Sequence, residues 1–192
     1  MRLTFFLISL IALPVTASTA AAGTTAGVTL PEAVTVGDRR LTLNGMGLRE
    51  ATIFKIDVYV AGLYVEHVSS NPRILVESDQ AKQLVLRFVR DVGHDDIVKA
   101  WHEGFHNNAT VSLDTLKPMI ARLDAWTPSF KKGDLLVFTY LPGQGVTVQV
   151  NNVTKGVINN ADFARSLFAI WLGAKPPTGD VKRGLLGNHP GL

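Results

Sequence analysis

The spacing of the apolar residues switches between a strand-like and a helix-like period three times along this chain. The order of these segments limits the folds that the chain can adopt. Residues 83–89 and much of 34–65 alternate between apolar and polar side chains, which is typical of β-strands. Residues 94–123 repeat apolar side chains every three or four positions, which predicts amphipathic helices. Alternation returns at 134–158, a strongly apolar helix is predicted at 162–172, and residues 180–186 are the candidate for a last short helix. Strands, helices, strands and helices in that order indicate an α+β fold with a largely antiparallel sheet.

Glycines and polar residues divide the first β region. A hairpin is predicted over residues 34–43, and Asn44–Gly47 is interpreted as the turn that follows it. A long strand is then predicted from residue 51 to 65. Gly62 within it indicates a bulge or the close approach of another part of the chain.

Two helices are predicted in the middle of the chain. Ile97, Trp101 and Phe105 recur every fourth residue and predict the buried stripe of the first helix. Ser112 is a suitable cap for the second helix. Pro118 lies inside that helix, so we expect the helix to start late or to bend there.

The N-terminus has the three-part pattern of a secretory signal peptide. Arg2 precedes an apolar run, and small residues follow it, with Ala20 and Ala22 in the small-x-small arrangement of a cleavage site. The apolar run is shorter than the roughly 20 residues of a membrane span. The sequence therefore predicts a signal peptide at 1–22, a flexible lead-in at 23–33, one domain at 34–187, and a periplasmic or secreted protein.

The composition excludes several classes of function. The chain has no cysteine, which excludes disulfides, thiolate catalysis and cysteine-based metal sites. The formal net charge of +3 is too small to indicate binding to nucleic acid or to an anionic membrane. The sequence indicates no cofactor, and it does not determine the oligomeric state.

Three stretches of the sequence carry a family resemblance. Residues 43–49 read Leu-Asn-Gly-Met-Gly-Leu-Arg and run into 55–66; the second stretch is 86–92; the third comprises 168–173 and 180–187. In order and spacing they resemble the chalcone isomerase-like family, and the bacterial exported members in particular. The resemblance implies an open-faced β-sandwich, in which helices cover one face of a large antiparallel sheet and a small second sheet lies nearby. It also implies a ligand cleft between the large sheet and the helices.

The same resemblance bears on catalysis. The family contains isomerases that cyclise chalcones, as well as non-catalytic fatty-acid-binding proteins. The arginine of the enzymes is matched by Arg49. Their hydrogen-bonding residues fall at Tyr59, Ile97, Gly104 and Ala169 or Ile170. Cyclisation needs positioned donors, and most of these side chains have none, so we assign no catalytic residue. An intramolecular lyase or isomerase acting on an enone-like substrate is the alternative.

The fatty-acid-binding members imply a different use of the same strands. They hold a carboxylate with an arginine and a tyrosine, which Arg49 and Tyr59 resemble. A guanidinium matches both oxygens of a carboxylate, so the predicted ligand is a small amphipathic carboxylate such as a fatty acid. The competing interpretation is that Arg49 pairs with Glu50 or Asp57, and that Tyr59 is a surface aromatic of the sheet.

Two other groups of residues suggest rival sites. His102-Glu103-Gly104-Phe105-His106 matches the H-E-x-x-H motif of zinc hydrolases. A third ligand is missing, and the polar face of a helix explains the same residues, so no metal site is predicted. Arg87 and Arg90 are candidates for further cations in the cleft, with ion pairing to Asp91 or Asp95 as the alternative.

Overall fold

The computed structural model describes residues 21–51 and 56–187, with side chains from residue 23 onward. Nearly all of the predicted signal peptide lies outside these residues. None of the helices in the described ranges is long and apolar enough to cross a membrane.

Seven antiparallel strands form the main sheet, in the order β3-β4-β5-β6-β7-β8-β9. Each strand pairs with its neighbour in sequence. The strands are β3 (Ala33–Val36), β4 (Arg39–Ala51), β5 (Ile56–Val65), β6 (Lys82–Phe88), β7 (Leu135–Leu141), β8 (Gly145–Val150) and β9 (Val153–Ile158). The predicted antiparallel α+β architecture is therefore confirmed.

The described residues also form five helices, which enclose the main core against one face of the sheet. They are α1 (Pro72–Glu77), α2 (His94–Asn108), α3 (Leu113–Trp126), α4 (Ala161–Leu172) and α5 (Gly179–Leu186). Every second residue of β6, from Leu84 to Phe88, joins the helical stripes in this core. The helix α4 is almost wholly buried, which explains its nearly continuous apolar sequence.

A small second sheet covers part of the opposite face. Its strands β1 (Ala21–Thr25) and β2 (Val28–Pro31) form a hairpin. Leu30 is buried against Gly62 and shares a second apolar cluster with Tyr64 and Val85. The open-faced sandwich implied by the family resemblance is thus confirmed.

This hairpin differs from the flexible lead-in that was predicted for residues 23–33. The small polar residues of the segment have little hydrophobic periodicity, which favoured a disordered lead-in. In the structure, Ala26 and Gly27 both have positive φ, as a tight two-residue hairpin turn requires. The burial of Leu30 against the main sheet, a contact distant in sequence, then holds the hairpin in place.

The segment Asn44–Gly47 is also different from its prediction, because it continues β4 rather than forming a turn. The side chain of Asn44 is buried and donates to the carbonyl oxygens of Ser69 and Leu185. The helix α5 lies directly on this part of β4. A Cβ on Gly47 would come within 2.8 Å of Val181 Cα, so the glycine permits the close approach of the helix.

The helix α3 begins where its cap predicts, since the Ser112 hydroxyl accepts a hydrogen bond from the Asp114 amide. Pro118 lies inside the helix without delaying its start. The short helix α1 was not predicted. It begins at Asn71, whose side chain accepts from the Arg73 amide, and Pro72 occupies its first turn.

Candidate functional site

The pairing of β4 with β5 brings the two predicted site residues together. Arg49 lies directly opposite Tyr59 in the antiparallel ladder, so their side chains project from the same face of the sheet. The guanidinium carbon of Arg49 lies 5.9 Å from the centre of the Tyr59 ring. This distance is suitable for a cation–π contact.

A cleft of about 610 Å³ opens beside this pair, a volume within the range of small-molecule sites. The ends of β4 and β5 form one wall, α2 forms the facing wall, and the segment after α4 closes one side. Ile97, Trp101 and Ile170 give the cleft an apolar interior. Charged residues are also part of the lining, and they are Arg49, Arg90, Asp91, Asp96, Lys99, Glu103 and Lys175.

Arg49 is half-buried within this lining. Among the described residues, no carboxylate lies within ion-pair distance of its guanidinium, so the predicted alternative of pairing with Glu50 or Asp57 does not occur there. Glu50 and Asp57 are instead opposite each other, beyond a register shift between Arg49 and Glu50. The ring of Tyr59 therefore lies beside a guanidinium that has no carboxylate partner among the described residues.

Tyr59 is buried, with 4% of its surface exposed, so it is not a surface aromatic of the sheet. Its hydroxyl accepts a hydrogen bond of 2.8 Å from Trp171 Nε1. Burial raises the pKa of the Tyr59 phenol to about 12, although the charge of Arg49 and the Trp171 bond act in the opposite direction. The phenol is therefore neutral at physiological pH and keeps its proton for donation.

The two other candidate arginines lie in different places. Arg87 donates to the Gly133 carbonyl oxygen at 2.7 Å and lines a separate hollow near the β1–β2 turn. Arg90 lines the cleft. The neighbouring Asp91 accepts from Lys131 Nζ and from the Lys132 amide, and these bonds lower the pKa of its carboxyl group. Arg90 is thus a second arginine of the cleft.

A segment after α4 forms part of the cleft and is tied to the end of α2. The Asn108 side chain donates to the Lys175 carbonyl oxygen at 2.8 Å and accepts from the Lys175 amide at 2.9 Å. Sequence reasoning did not assign this role to Asn108. A polar residue ending a helix was a signal, but its distant partner was not evident from the sequence.

The three polar residues of the H-E-x-x-H motif, His102, Glu103 and His106, are exposed on α2, away from its buried stripe of Ile97, Trp101 and Phe105, as the polar-face interpretation expected. His102 Nε2 lies 2.8 Å from Asp124 Oδ2, which joins α2 to α3. Within residues 21–51 and 56–187, no three histidine, aspartate or glutamate side chains are grouped to hold a metal ion. The motif therefore has a structural explanation in this part of the chain.

A model of the chalcone isomerase-like family matches residues 22–187. The chain belongs to the chalcone isomerase-like family. The resemblance noted from three sequence stretches is thereby confirmed, and two of those stretches are now seen in contact, since α5 packs on β4.

A solved member of this fold gives an independent comparison. The structure is similar to the crystal structure of a fatty-acid binding protein of Arabidopsis thaliana, with a TM-score of 0.69 at 17% sequence identity. The match covers 83% of this chain and 92% of the plant protein. At that identity the likeness shows the shared fold. No curated protein sequence matches the chain.

Proposed function

We propose that this protein is an exported, non-catalytic member of the chalcone isomerase-like family that binds a small amphipathic carboxylate, such as a fatty acid. The carboxylate is held by Arg49, and the apolar part of the ligand lies in the cleft between sheet and helices. Arg90 is a second cation of the same cleft. The export signal is residues 1–22, and the location is the periplasm or the extracellular space.

The environment of Arg49 carries this proposal. Its guanidinium is half-buried beside an apolar interior, and no carboxylate of the described residues neutralises it. A guanidinium binds both oxygens of a carboxylate through parallel hydrogen bonds, and Tyr59 keeps the guanidinium at the wall of the cleft. The fatty-acid binding named for the plant protein of the same fold agrees with this chemistry.

The cleft lining favours binding over isomerase activity. At positions where the family's enzymes are expected to carry hydrogen-bonding side chains, this chain has Ile97, Gly104 and Ile170, and all three line the cleft. None of these side chains can donate a hydrogen bond to a phenolate or an enolate. Stabilising such charges is the main requirement of the cyclisation, so we propose a binding protein.

Calorimetric titration of the purified protein with decanoate tests the proposal. We expect Arg49→Ala to weaken binding by about 1.5–3 kcal/mol, the scale of hydrogen bonds to a charged group. Arg49→Lys should recover only part of the affinity, because an ammonium group cannot make two parallel bonds. Arg40→Ala is the matched control, since Arg40 is an exposed arginine of the same strand outside the cleft.

Thermal melts of the same variants separate a binding role from a structural role. Under the proposal, Arg49→Ala melts close to the wild-type protein. An unchanged affinity together with a sharply lowered melting temperature would instead assign Arg49 to the stability of the fold, and the proposal would fail.

A further inference from the structure

Part of the lining of the cleft beside Arg49 is a contact between two helices. Gly104 of α2 faces Ile170 of α4, and both residues line the cleft. A Cβ on Gly104 would lie only 2.7 Å from Ile170 Cγ2 and 3.1 Å from Cγ1. The Ile170 side chain therefore fills the space that any larger residue at 104 would need, and it leaves no passage between the helices at this point.

The core next to this contact is filled with aromatic rings. Trp101 packs edge-on against Trp171 and Phe138, with ring centres 5.8 Å and 6.0 Å apart. All three side chains are buried, and Trp171 is further held by its bond to the Tyr59 hydroxyl. An acyl chain that went deeper than the cleft would have to displace Ile170 or these rings.

We infer that the contact between Gly104 and Ile170 sets the depth of the cleft, and that the ligand is a carboxylate with a short or compact apolar part rather than a long acyl chain. This inference rests on the proposed function, because it takes the carboxylate to be held by Arg49. Ile170 is then the residue that determines ligand length. Any chain longer than the cleft extends into water, where further methylenes add little to affinity.

A series of straight-chain carboxylates measures this depth. Wild-type protein is titrated with hexanoate, octanoate, decanoate, dodecanoate and hexadecanoate, each below its micelle-forming concentration. While methylenes are still being buried, each should raise the affinity about fourfold. We expect this gain over the short chains, and less than about a twofold total gain from decanoate to hexadecanoate once the chain has reached Ile170.

Variants at the floor of the cleft should change the length profile, which is the dependence of carboxylate affinity on the length of the acyl chain. Ile170→Ala removes the atoms that face Gly104, so hexadecanoate should bind at least about tenfold more tightly than decanoate. Ile170→Val is a milder change that should shift the profile in the same direction and that carries the comparison if the alanine variant does not fold. Ile120→Ala is the matched control: Ile120 is a buried helical isoleucine of the same core that does not line the cleft, so it should keep the wild-type profile.

Different outcomes would contradict this inference and the proposed carboxylate-binding function. A wild-type affinity that depends on Arg49 and still rises steadily to hexadecanoate would overturn the inference alone. Identical length profiles for wild type and both Ile170 variants would do the same. If no carboxylate binds, or if Arg49→Ala leaves every affinity unchanged, the proposed function fails and this inference fails with it.

Discussion

The ring and the hydroxyl of Tyr59 contact different neighbours. The ring supports the guanidinium of Arg49 at the wall of the cleft, while the hydroxyl accepts a hydrogen bond from Trp171 in the core. A tyrosine can do both because one end of its side chain is polar and the rest is apolar. This single residue therefore links the stability of the core to the electrostatics of the candidate site.

Tyr59→Phe should affect both properties. Removing the hydroxyl leaves the buried Trp171 N–H without its partner, so the free energy of unfolding should fall by about 1–3 kcal/mol. Carboxylate affinity should fall by about 0.5–1.5 kcal/mol, the net contribution of the hydrogen bond that the phenol donates to the ligand under the proposal. Denaturant titration and calorimetry measure the two effects. Tyr64→Phe is the control, because Tyr64 donates to Pro31 on the other face of the sheet and its loss should leave the affinity unchanged.

The stability difference between wild type and Tyr59→Phe should also depend on pH. The pKa of Tyr59 rises from 10.0 to about 12 because burial disfavours the phenolate. The folded state therefore keeps a proton that the unfolded state loses, and wild-type stability falls as pH rises from about 10 to 12. The phenylalanine variant lacks this ionisation. The difference in the free energy of unfolding between wild type and variant should therefore become smaller between about pH 10 and about pH 12. A constant difference would contradict the assignment.

At the scale of elements, the cleft depends on how segments distant in sequence are held together. The segment at Lys175 reaches the cleft because the Asn108 side chain pairs with both backbone groups of Lys175. Lys182 Nζ also donates to the Gly173 carbonyl oxygen at 2.7 Å, which anchors the start of this segment. These contacts position Lys175 and the two prolines after it along the cleft.

Asn108→Ala should release this segment from α2. Lys175 would lose the acceptor of its amide, so its amide hydrogen should exchange much faster with solvent. Ligand affinity should fall about 3- to 10-fold, on the scale of one net hydrogen bond's contribution to ordering the wall. Hydrogen exchange and calorimetry test this. Asn107→Ala, at the exposed neighbouring position, is the control and should leave the exchange rate of the Lys175 amide unchanged. If Asn108→Ala also leaves this rate unchanged, the hydrogen bonds of Asn108 are not needed to hold the segment.

On the scale of the whole molecule, the two faces of the main sheet have different covers. The helices enclose the larger core and the cleft, whereas the β1–β2 hairpin covers the smaller apolar cluster around Leu30 and Tyr64. The hairpin begins at Ala21, inside the stretch where the predicted signal peptide ends. The proposed cleavage site therefore lies at the start of the hairpin that covers the outer face of the sheet.

The mature protein should begin between Ala21 and Gly23. A start in this interval keeps the part of β1 that runs from Gly23 to Thr25, and with it the pairing to β2. N-terminal sequencing of protein purified from its own source measures the cleavage site. Recovery of soluble protein that still begins at Met1 would contradict the proposed export.

The elements with a strong hydrophobic period were predictable from the amino-acid sequence. The alternation in β6 and the four-residue repeat in α2 depend on neighbours along the chain, so both were predictable. The family and its open-faced sandwich were also recognisable from three stretches, and Arg49 and Tyr59 were singled out before their pairing was known. Whether those two residues hold a ligand stays a prediction.

The other features were not predictable, because they depend on contacts between residues far apart in the chain. Asn44–Gly47 has the composition of a turn, yet it forms a strand because α5 packs on its glycines. Residues 23–31 form a hairpin because Leu30 is buried on the outer face of the sheet. The contact between Gly104 and Ile170 likewise joins two helices that are distant in sequence. The residues around Gly104 do not specify which side chain fills the space beside it, so this contact was not predictable.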